Sequence, residues 1–336
     1  MNTGRKRMRH VDLAAALSLS LLSLSLAGCG SGTTEANQSA APACDRDCII
    51  AATDAYLAAL VVHDPAAAPL APNAAFVENT VRLKPGEGLW KTATGGKTNF
   101  AIYVPDTDLQ QAGWMGVMER DGKPVMLALR LKLADGKITE AEHLVTEPAQ
   151  GRMENLAAVR PGLLAQIPEG QRLPHDELMR LGASYYDALD DNDGSKMPFA
   201  ADCERHENGM VTAGKNVGPP PGWQPGQPRT ATDCKGQLDS QAFVYIDRIE
   251  NRRMIAADPV TGLVMGLSHF RHPMDNLPYK VTNADGSVTE RNAKNMPYEP
   301  FDMPAAHIFK VGGDGKVHEI EAVGVRLPYN SKTGWE

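Results

Sequence analysis

Hydrophobic and polar positions along the chain follow two periods. Ile49, Thr53, Tyr56 and Leu60, and later Leu178, Leu181, Tyr185 and Leu189, recur at helical spacing and predict one amphipathic helix in each half of the chain. Asp64-Pro65 has the form of an N-cap followed by Pro at the first helical position, opening a second short helix. Asp193 holds the matching place, so both aspartates are expected to act as caps. Further on, the period drops to two. "PVMLALRLKLADGKITEAEHLV" alternates Leu127, Leu129, Leu131 and Leu133, turns at Asp135-Gly136 and resumes as a strand. "AFVYIDRIENRRMIAADPVTGLVMGLSHFRH" predicts a hairpin turning near Asp258 to Gly262, and "HIFKVGGDGKVHEIEAVGV" predicts another. Helices followed by a meander of long antiparallel strands indicate the α+β class.

The pattern occurs twice. "YLAALVVHDPAAAPLAPNAAFVEN" (Tyr56 to Asn79) aligns without a gap with "YYDALDDNDGSKMPFAADCERHEN" (Tyr185 to Asn208): Tyr56 with Tyr185, Asp64 with Asp193, Glu78-Asn79 with Glu207-Asn208. "GKITEAE" (Gly136 to Glu142) is echoed by "GKVHEIE" (Gly315 to Glu321), in the same order. The chain is an internal duplication. The first echo is offset by 129 positions and the second by 179, so the second copy carries about 50 additional residues. Two Pro/Gly/Asn-rich stretches, 214–236 and 272–304, can hold them as surface loops.

Composition narrows the class. The 336 residues suffice for two domains, and a formal net charge of −7 argues against nucleic acid as a partner. The N-terminus runs from basic "MNTGRKRMRH" through apolar "AAALSLSLLSLSL" to "LAGC", the order of a secretory signal. Cys29 after Leu-Ala-Gly resembles a bacterial lipobox, which implies cleavage before Cys29 and lipidation of it; an ordinary signal peptide is the alternative. The residue after Cys29 is Gly30, not Asp, so an inner-membrane retention signal is lacking, and an outer-membrane anchor facing the periplasm is expected. Residues 1–28 carry four basic groups and one acid, so their removal leaves a chain near −10. Residues 29–43 form a small, polar tether. The remaining cysteines are Cys44, Cys48, Cys203 and Cys234, an even number that suggests disulfides in an exported protein. Cys203 with Cys234 and Cys44 with Cys48 is the favoured pairing. Zinc is the rival, weakened because neither a CxxC nor a His cluster accompanies them.

Helix, "YxxAL", loop, "EN" and strands closing on "GKIxExE" resemble the SnoaL-like branch of the NTF2-like superfamily in both halves. "ENG", "YIDRIENRR" and "GEGLWKT" are also similar to an uncharacterised family of tandem-domain secreted proteins. The resemblance implies two NTF2-like cone domains, at 44–148 and 172–336 about a linker at 149–171, each a strongly curved antiparallel sheet around helices with a pocket at the open end. Many such domains work as dimers, so the resemblance implies that this chain carries its partner covalently. It also implies chemistry without a built-in metal or cofactor, in which a carboxylate or His moves a proton while Tyr, Arg or Asn holds an oxyanion. Fold alone does not choose a reaction.

Strict alternation through the second copy's first hairpin places Tyr245, Asp247, Arg253, Met265, Leu267, His269 and Arg271 on one face. Asp247, His269 or His206 is then the expected base, with Arg253, Tyr185 or Asn208 stabilising charge; the competing reading is an outer face on which Asp247 and Arg253 pair. Arg205 and His206 stand where the first copy has Phe76 and Val77, whereas Glu207 and Asn208 recur and suit the shared scaffold or a ligand equally. His307 alternates with Phe309 and Val311 and points inward, as ligand contact or core histidine. In the first copy Glu78, Asn79, Trp90, Arg130 and His143 are the polar or aromatic candidates, and Arg130, opposite the leucine row, is expected between the domains. "ATGGKT" lacks a phosphate loop's first Gly, since Lys91 stands there, and "DDNDGS" fails as a calcium loop at Leu189 and Ala200. The chain therefore points to a cofactor-independent lyase, isomerase or hydratase that abstracts a proton from a small apolar or aromatic hydroxylated molecule. The alternative is an envelope lipoprotein that binds a hydrophobic ligand or a partner protein without turnover.

Overall fold

The computed structural model describes residues 43–219 and 223–336; Cys29, the signal segment and most of the tether lie outside them. The described residues contain five α-helices: α1 (Arg46–Val61), α2 (Leu89–Thr92), α3 (Pro161–Leu164), α4 (His175–Asp190) and α5 (Cys234–Asp239). The first sheet comprises β1 (Leu70–Glu78), β2 (Val81–Leu83), β3 (Ala93–Gly95), β4 (Ala101–Asp106), β5 (Gln111–Arg120), β6 (Lys123–Ala134) and β7 (Lys137–Thr146). The second comprises β8 (Phe199–Glu207), β9 (Met210–Ala213), β10 (Arg248–Asp258), β11 (Leu263–His272), β14 (Phe301–Val311), β15 (Val317–Gly324) and β16 (Leu327–Pro328). Between β11 and β14 a separate hairpin, β12 (Tyr279–Thr282) with β13 (Val288–Arg291), occupies the stretch expected as a loop. A bridge between Thr230 and Asn283 joins the two insertions, so they fold on each other.

Local sequence explains the paired helices. Asp45 caps α1 by accepting from the Cys48 amide at 2.9 Å, and Tyr56 and Leu60 turn inward. In α4, Asp176 and Glu177 occupy the first turn, where the helix dipole favours acid, and Tyr185 and Leu189 are buried. Gly182 brings α4 close to its sheet: a Cβ there would lie 2.5 Å from Met254 Cε. Asp64 and Asp193 are caps as expected, accepting from the amides of Ala66 and Ser195.

Topology repeats with the sequence. In each half the strand after the helix runs parallel to the last long strand, β1 against β7 and β8 against β15, and the remaining long strands are antiparallel. The repeated asparagine closes this joint. Asn79 (φ 45°) and Asn208 (φ 49°) turn the chain in the left-handed region, which asparagine tolerates better than most residues. Asn79 donates to the Val145 carbonyl at 2.9 Å and accepts from its amide at 2.8 Å; Asn208 does the same to Gly324 at 2.9 and 3.0 Å.

Each curved sheet encloses its own core, one around Tyr56, Trp90 and Leu129, the other around Tyr185, Tyr186 and Phe309. A third core lies between the outer faces of the sheets, where Ile102, Met115 and Met126 meet Met265, Ile308 and Val323. Gly113 makes room there, since a Cβ would sit 2.5 Å from Met265 Sδ. Polar contacts rim this core. Arg253 grips Glu142 through two bonds of 2.9 and 2.7 Å, Asp106 accepts from the Ala257 amide and bonds His175, and Arg46 pairs with Asp258. Arg130 bonds Gln111 and Glu140 beside Glu142, close to the interface, as expected. The linker is fastened by Arg160 to Glu319 and Glu321 and by the buried Lys310 to the carbonyls of Ala165 and Thr261. Cys44 is bonded to Cys48 and Cys203 to Cys234.

Asn208→Ala removes a two-way bond to backbone and a residue suited to positive φ. A loss of about 1–3 kcal/mol is expected from the lowered midpoint of denaturant unfolding, and an unchanged midpoint would show that Asn208 is not the clasp of this joint.

Candidate active site

The second cone contains a cavity of about 60 Å³ lined by Tyr185, Arg205, Glu207, Phe243, Tyr245, Phe270, Met303, Ala305, His307, Ala322 and Gly324, among others. Each wall comes from a different element. Tyr185 projects from α4, Arg205 and Glu207 from the inner face of β8, His307 from β14, and Tyr245 from the turn before β10.

Arg205 is held on several sides. Its guanidinium donates to Thr212 Oγ1 at 2.9 Å, to Gln237 Oε1 at 2.7 Å and to the Tyr185 hydroxyl at 3.2 Å, and it lies over the Phe243 ring. Burial opposes its charge, but Tyr185 and Glu207 nearby hold its pKa above the ordinary arginine value. Glu207 is half-buried, and no side-chain hydrogen bond holds its carboxylate among the described residues. Burial raises its pKa above the usual carboxylate range, against the pull of Arg205. Tyr185 and Tyr245 are raised as well, by burial first; Arg205 opposes the rise and Glu207 adds to it at both. His307 is packed among Tyr185, Tyr186, Phe270 and Phe309. Burial and then Arg205 push its pKa down to about 3, so it is neutral at physiological pH, and its buried Nδ1 has no partner among the described residues. An apolar chamber therefore holds one anchored cation, one unanchored carboxylate, two phenols and a neutral imidazole.

Strand register matches the two cones position by position. Glu78 pairs with His143 as Glu207 pairs with Ala322; Leu129 pairs with His143 as His307 pairs with Ala322; Leu127 pairs with Val145 as Ala305 pairs with Gly324. The second copy has thus exchanged His143, Leu127 and Val145 for Ala322, Ala305 and Gly324, which removes side-chain volume from one patch of wall. Phe76 has given way to Arg205. In the first cone the same space is filled: Phe76, Leu127, Leu129, His143 and Trp90 are all at most 1% exposed. His143 Nδ1 lies 3.1 Å from Glu78 Oε2, its Nε2 lies 2.9 Å from the Tyr56 hydroxyl, and Trp90 packs edge-on against Tyr56. Glu78 also accepts from the Leu89 amide, so it is anchored where Glu207 is not.

Of the candidates named from sequence, Tyr185, Arg205, Glu207, Tyr245 and His307 meet in the cavity. The others do not. Asp247 is exposed, precedes β10 and pairs with Arg248. Arg253 and His269 lie on the outer face; Arg253 is spent on Glu142, and His269 sits beside Ser331 at 3.1 Å and Arg271. The predicted shared face holds for Arg253, Met265, Leu267, His269 and Arg271, but it is the outer one, and β10 is irregular: pairing shifts between Glu250 and Arg253 and again between Met254 and Ala256, and Asn251 has a φ of 49°. Each shift reverses the alternation, leaving Tyr245 inside and Arg253, Met265, Leu267 and His269 outside. His206 points away from Arg205 on β8 and bonds Glu204 at 2.7 Å, its pKa lowered by burial and by Arg160. Asn208 and Asn79 clasp the backbone, Glu78 is tied to His143, and Trp90 is core. The difference between the copies, charge gained at Arg205 and volume lost at Ala305, Ala322 and Gly324, is the signal in the sequence that points to the cavity.

Two curved α+β domains, one filled and one hollow, define the class of this protein. A family model described as "Domain of unknown function (DUF8021)" matches residues 43–145 and 171–324, and the chain belongs to that family. No curated protein matches it. Among solved structures, it is similar to one described as a "putative ketosteroid isomerase from Kribbella flavida DSM 17836", at 13% identity and a TM-score of 0.24 over 34% of this chain and 93% of the other. That likeness bears on neither the activity nor the ligand of this chain.

Glu207 gives a stability prediction of definite sign. Its folded-state pKa lies above its unfolded value, so its contribution is fully present below the unfolded pKa and is lost as pH rises through the folded one. Glu207→Gln, which mimics the protonated form, is expected to melt no lower than the wild type at neutral pH, with the difference vanishing below about pH 4. A variant that melts well below the wild type at pH 7 would contradict this.

Proposed function

We propose that the second cone is the active site of a cofactor-independent lyase, isomerase or hydratase, with Glu207 as the base. The observation that carries this reading is a carboxylate without a hydrogen-bonding anchor facing a fixed guanidinium inside an apolar chamber. Ionised Glu207 takes a proton from carbon next to a carbonyl. The negative charge moving onto the carbonyl oxygen is stabilised by Arg205 and by the Tyr185 hydroxyl, which accepts from Arg205 and keeps its own proton to donate. Returning the proton to another carbon isomerises the substrate; loss of a neighbouring hydroxyl as water, or the reverse, makes the reaction a dehydration or hydration. His307, neutral at working pH, offers one ring nitrogen as donor or acceptor to a substrate hydroxyl. The walls supplied by Phe243, Phe270 and Met303 favour a small apolar or aromatic molecule.

The same apolar walls favour the second reading, an envelope lipoprotein that captures a hydrophobic ligand or partner without converting it. In either case we infer that the protein is exported and lipid-anchored through Cys29, most simply at the outer membrane facing the periplasm, a setting that the two disulfides support. The core between the sheets supports the further reading that the paired domains stand in for a homodimer.

The enzyme reading is tested by incubating the protein with small hydroxylated carbonyl compounds and following conversion by mass spectrometry. Glu207→Gln is expected to lower turnover about 10²–10⁴-fold. The wild-type rate should fall with acidification, with an apparent pKa above the ordinary carboxylate value, because the base must be ionised. Retention of a compound without product would move the assignment to the binding module, and full activity in Glu207→Gln would remove Glu207 as base.

A further inference from the structure

The filled cone records the shape of what the hollow one holds. In the first cone the imidazole of His143 bridges two groups that recur in the second: Glu78, matched by Glu207, and Tyr56, matched by Tyr185. The matched position to His143 is Ala322, which leaves the space of a ring beside the same carboxylate and the same phenol. A carboxylate only accepts, so Nδ1 carries the hydrogen and donates to Glu78; in the neutral ring Nε2 accepts from the Tyr56 hydroxyl. The ring is surrounded by aromatic edges, with Phe76 at 4.8 Å and Tyr56 at 5.7 Å between centroids. In the hollow cone Arg205 replaces Phe76 and adds a positive charge on the acceptor side, within 3.2 Å of the Tyr185 hydroxyl.

We propose that the second cone binds a single flat ring of about imidazole size, which presents a donor or acidic hydrogen to Glu207 and an acceptor to Tyr185 and Arg205. Small azoles, lactams and cyclic enolisable ketones have this arrangement. A cavity of about 60 Å³ favours a single ring over a fused polycyclic molecule. The proposal deepens the function proposed above and rests on it for the reaction, since the hydrogen facing Glu207 is the one that would be abstracted. It does not rest on it for binding.

Imidazole itself is the probe, used at about pH 8, where the free ring is mostly neutral. Saturation-transfer NMR and calorimetry on the full chain are expected to show it binding in the second cone, whereas cyclopentane, of similar size without polar atoms, binds at least tenfold more weakly. Ala322→His rebuilds the filling side chain of the first cone and is expected to abolish imidazole binding. Glu207→Gln keeps the cavity and is expected to weaken imidazole at least fivefold, which tests the proposal if the Ala322 variant does not fold. Reciprocally, His143→Ala opens the first cone, and its lowered melting temperature should be partly restored by imidazole to a greater degree than the wild type is raised. Equal affinity for imidazole and cyclopentane, or imidazole binding unaffected by both Ala322→His and Glu207→Gln, would overturn the ligand class. Imidazole binding that responds as stated, without turnover of any ring carbonyl, would leave the ligand class standing and remove the enzyme; Glu207-dependent turnover without imidazole binding would do the reverse.

Discussion

Both sheets are covered on both faces, and most other features follow from that constraint. Inside, each wraps its own helix; outside, each rests on the other. All ten residues of β11 are buried, so this strand has no solvent side on which to place polar groups. A charge in such a sheet has to find a partner within the protein, because an unpaired one costs several kcal/mol. Arg253 takes Glu142 across the interface, Arg271 takes Asp302, and Arg160 takes Glu321. The first of these pairs crosses between the domains, and the third core between them makes the two halves a single packing problem.

Against that background two groups of the cavity are left without a hydrogen-bonding partner among the described residues. Glu207 has no anchoring bond, and His307 keeps a buried nitrogen without a partner. Buried polar groups are usually satisfied, so the His307 nitrogen carries a cost. In the first cone the matching Glu78 is tied to His143 and to backbone, and the interior is filled by Trp90, Trp114 and Leu127. Duplication lets one copy supply packing while the other sacrifices some. The two cones share a scaffold down to the asparagine clasp and differ in wall volume and in one buried charge.

Much of the scaffold was legible in the chain. Long alternating runs around Leu127 to Leu133 and the turns at Asp135-Gly136 and Asp258 to Gly262 have unambiguous periodicity, and the helices and their caps follow from short-range chemistry. The site was legible only in part. Arg205, Glu207, Tyr185, Tyr245 and His307 could be named as polar residues near an expected pocket, but the base was sought at Asp247, His269 and His206. Those choices depended on an unbroken alternation, and the bulge around Asn251, where φ is 49°, interrupts it. Glu207 was obscured for another reason. It recurs in both copies, and recurrence suggests scaffold; only the loss of its partner, His143 becoming Ala322, turns a structural carboxylate into a free one. The hairpin at Tyr279 to Arg291 was hidden among Pro, Asn and Gly that resemble any long loop.

The bond between Cys203 and Cys234 ties the strand that bears Arg205 and Glu207 to the helix that bears Gln237, and Gln237 is one of the groups that aim the Arg205 guanidinium. The pose of the buried cation is thus underwritten by a covalent link that forms only where thiols are oxidised. A newly made chain in a reducing compartment would have the residues of the chamber without the brace that aligns them. Oxidation would then act as a maturation step that completes the alignment of the chamber.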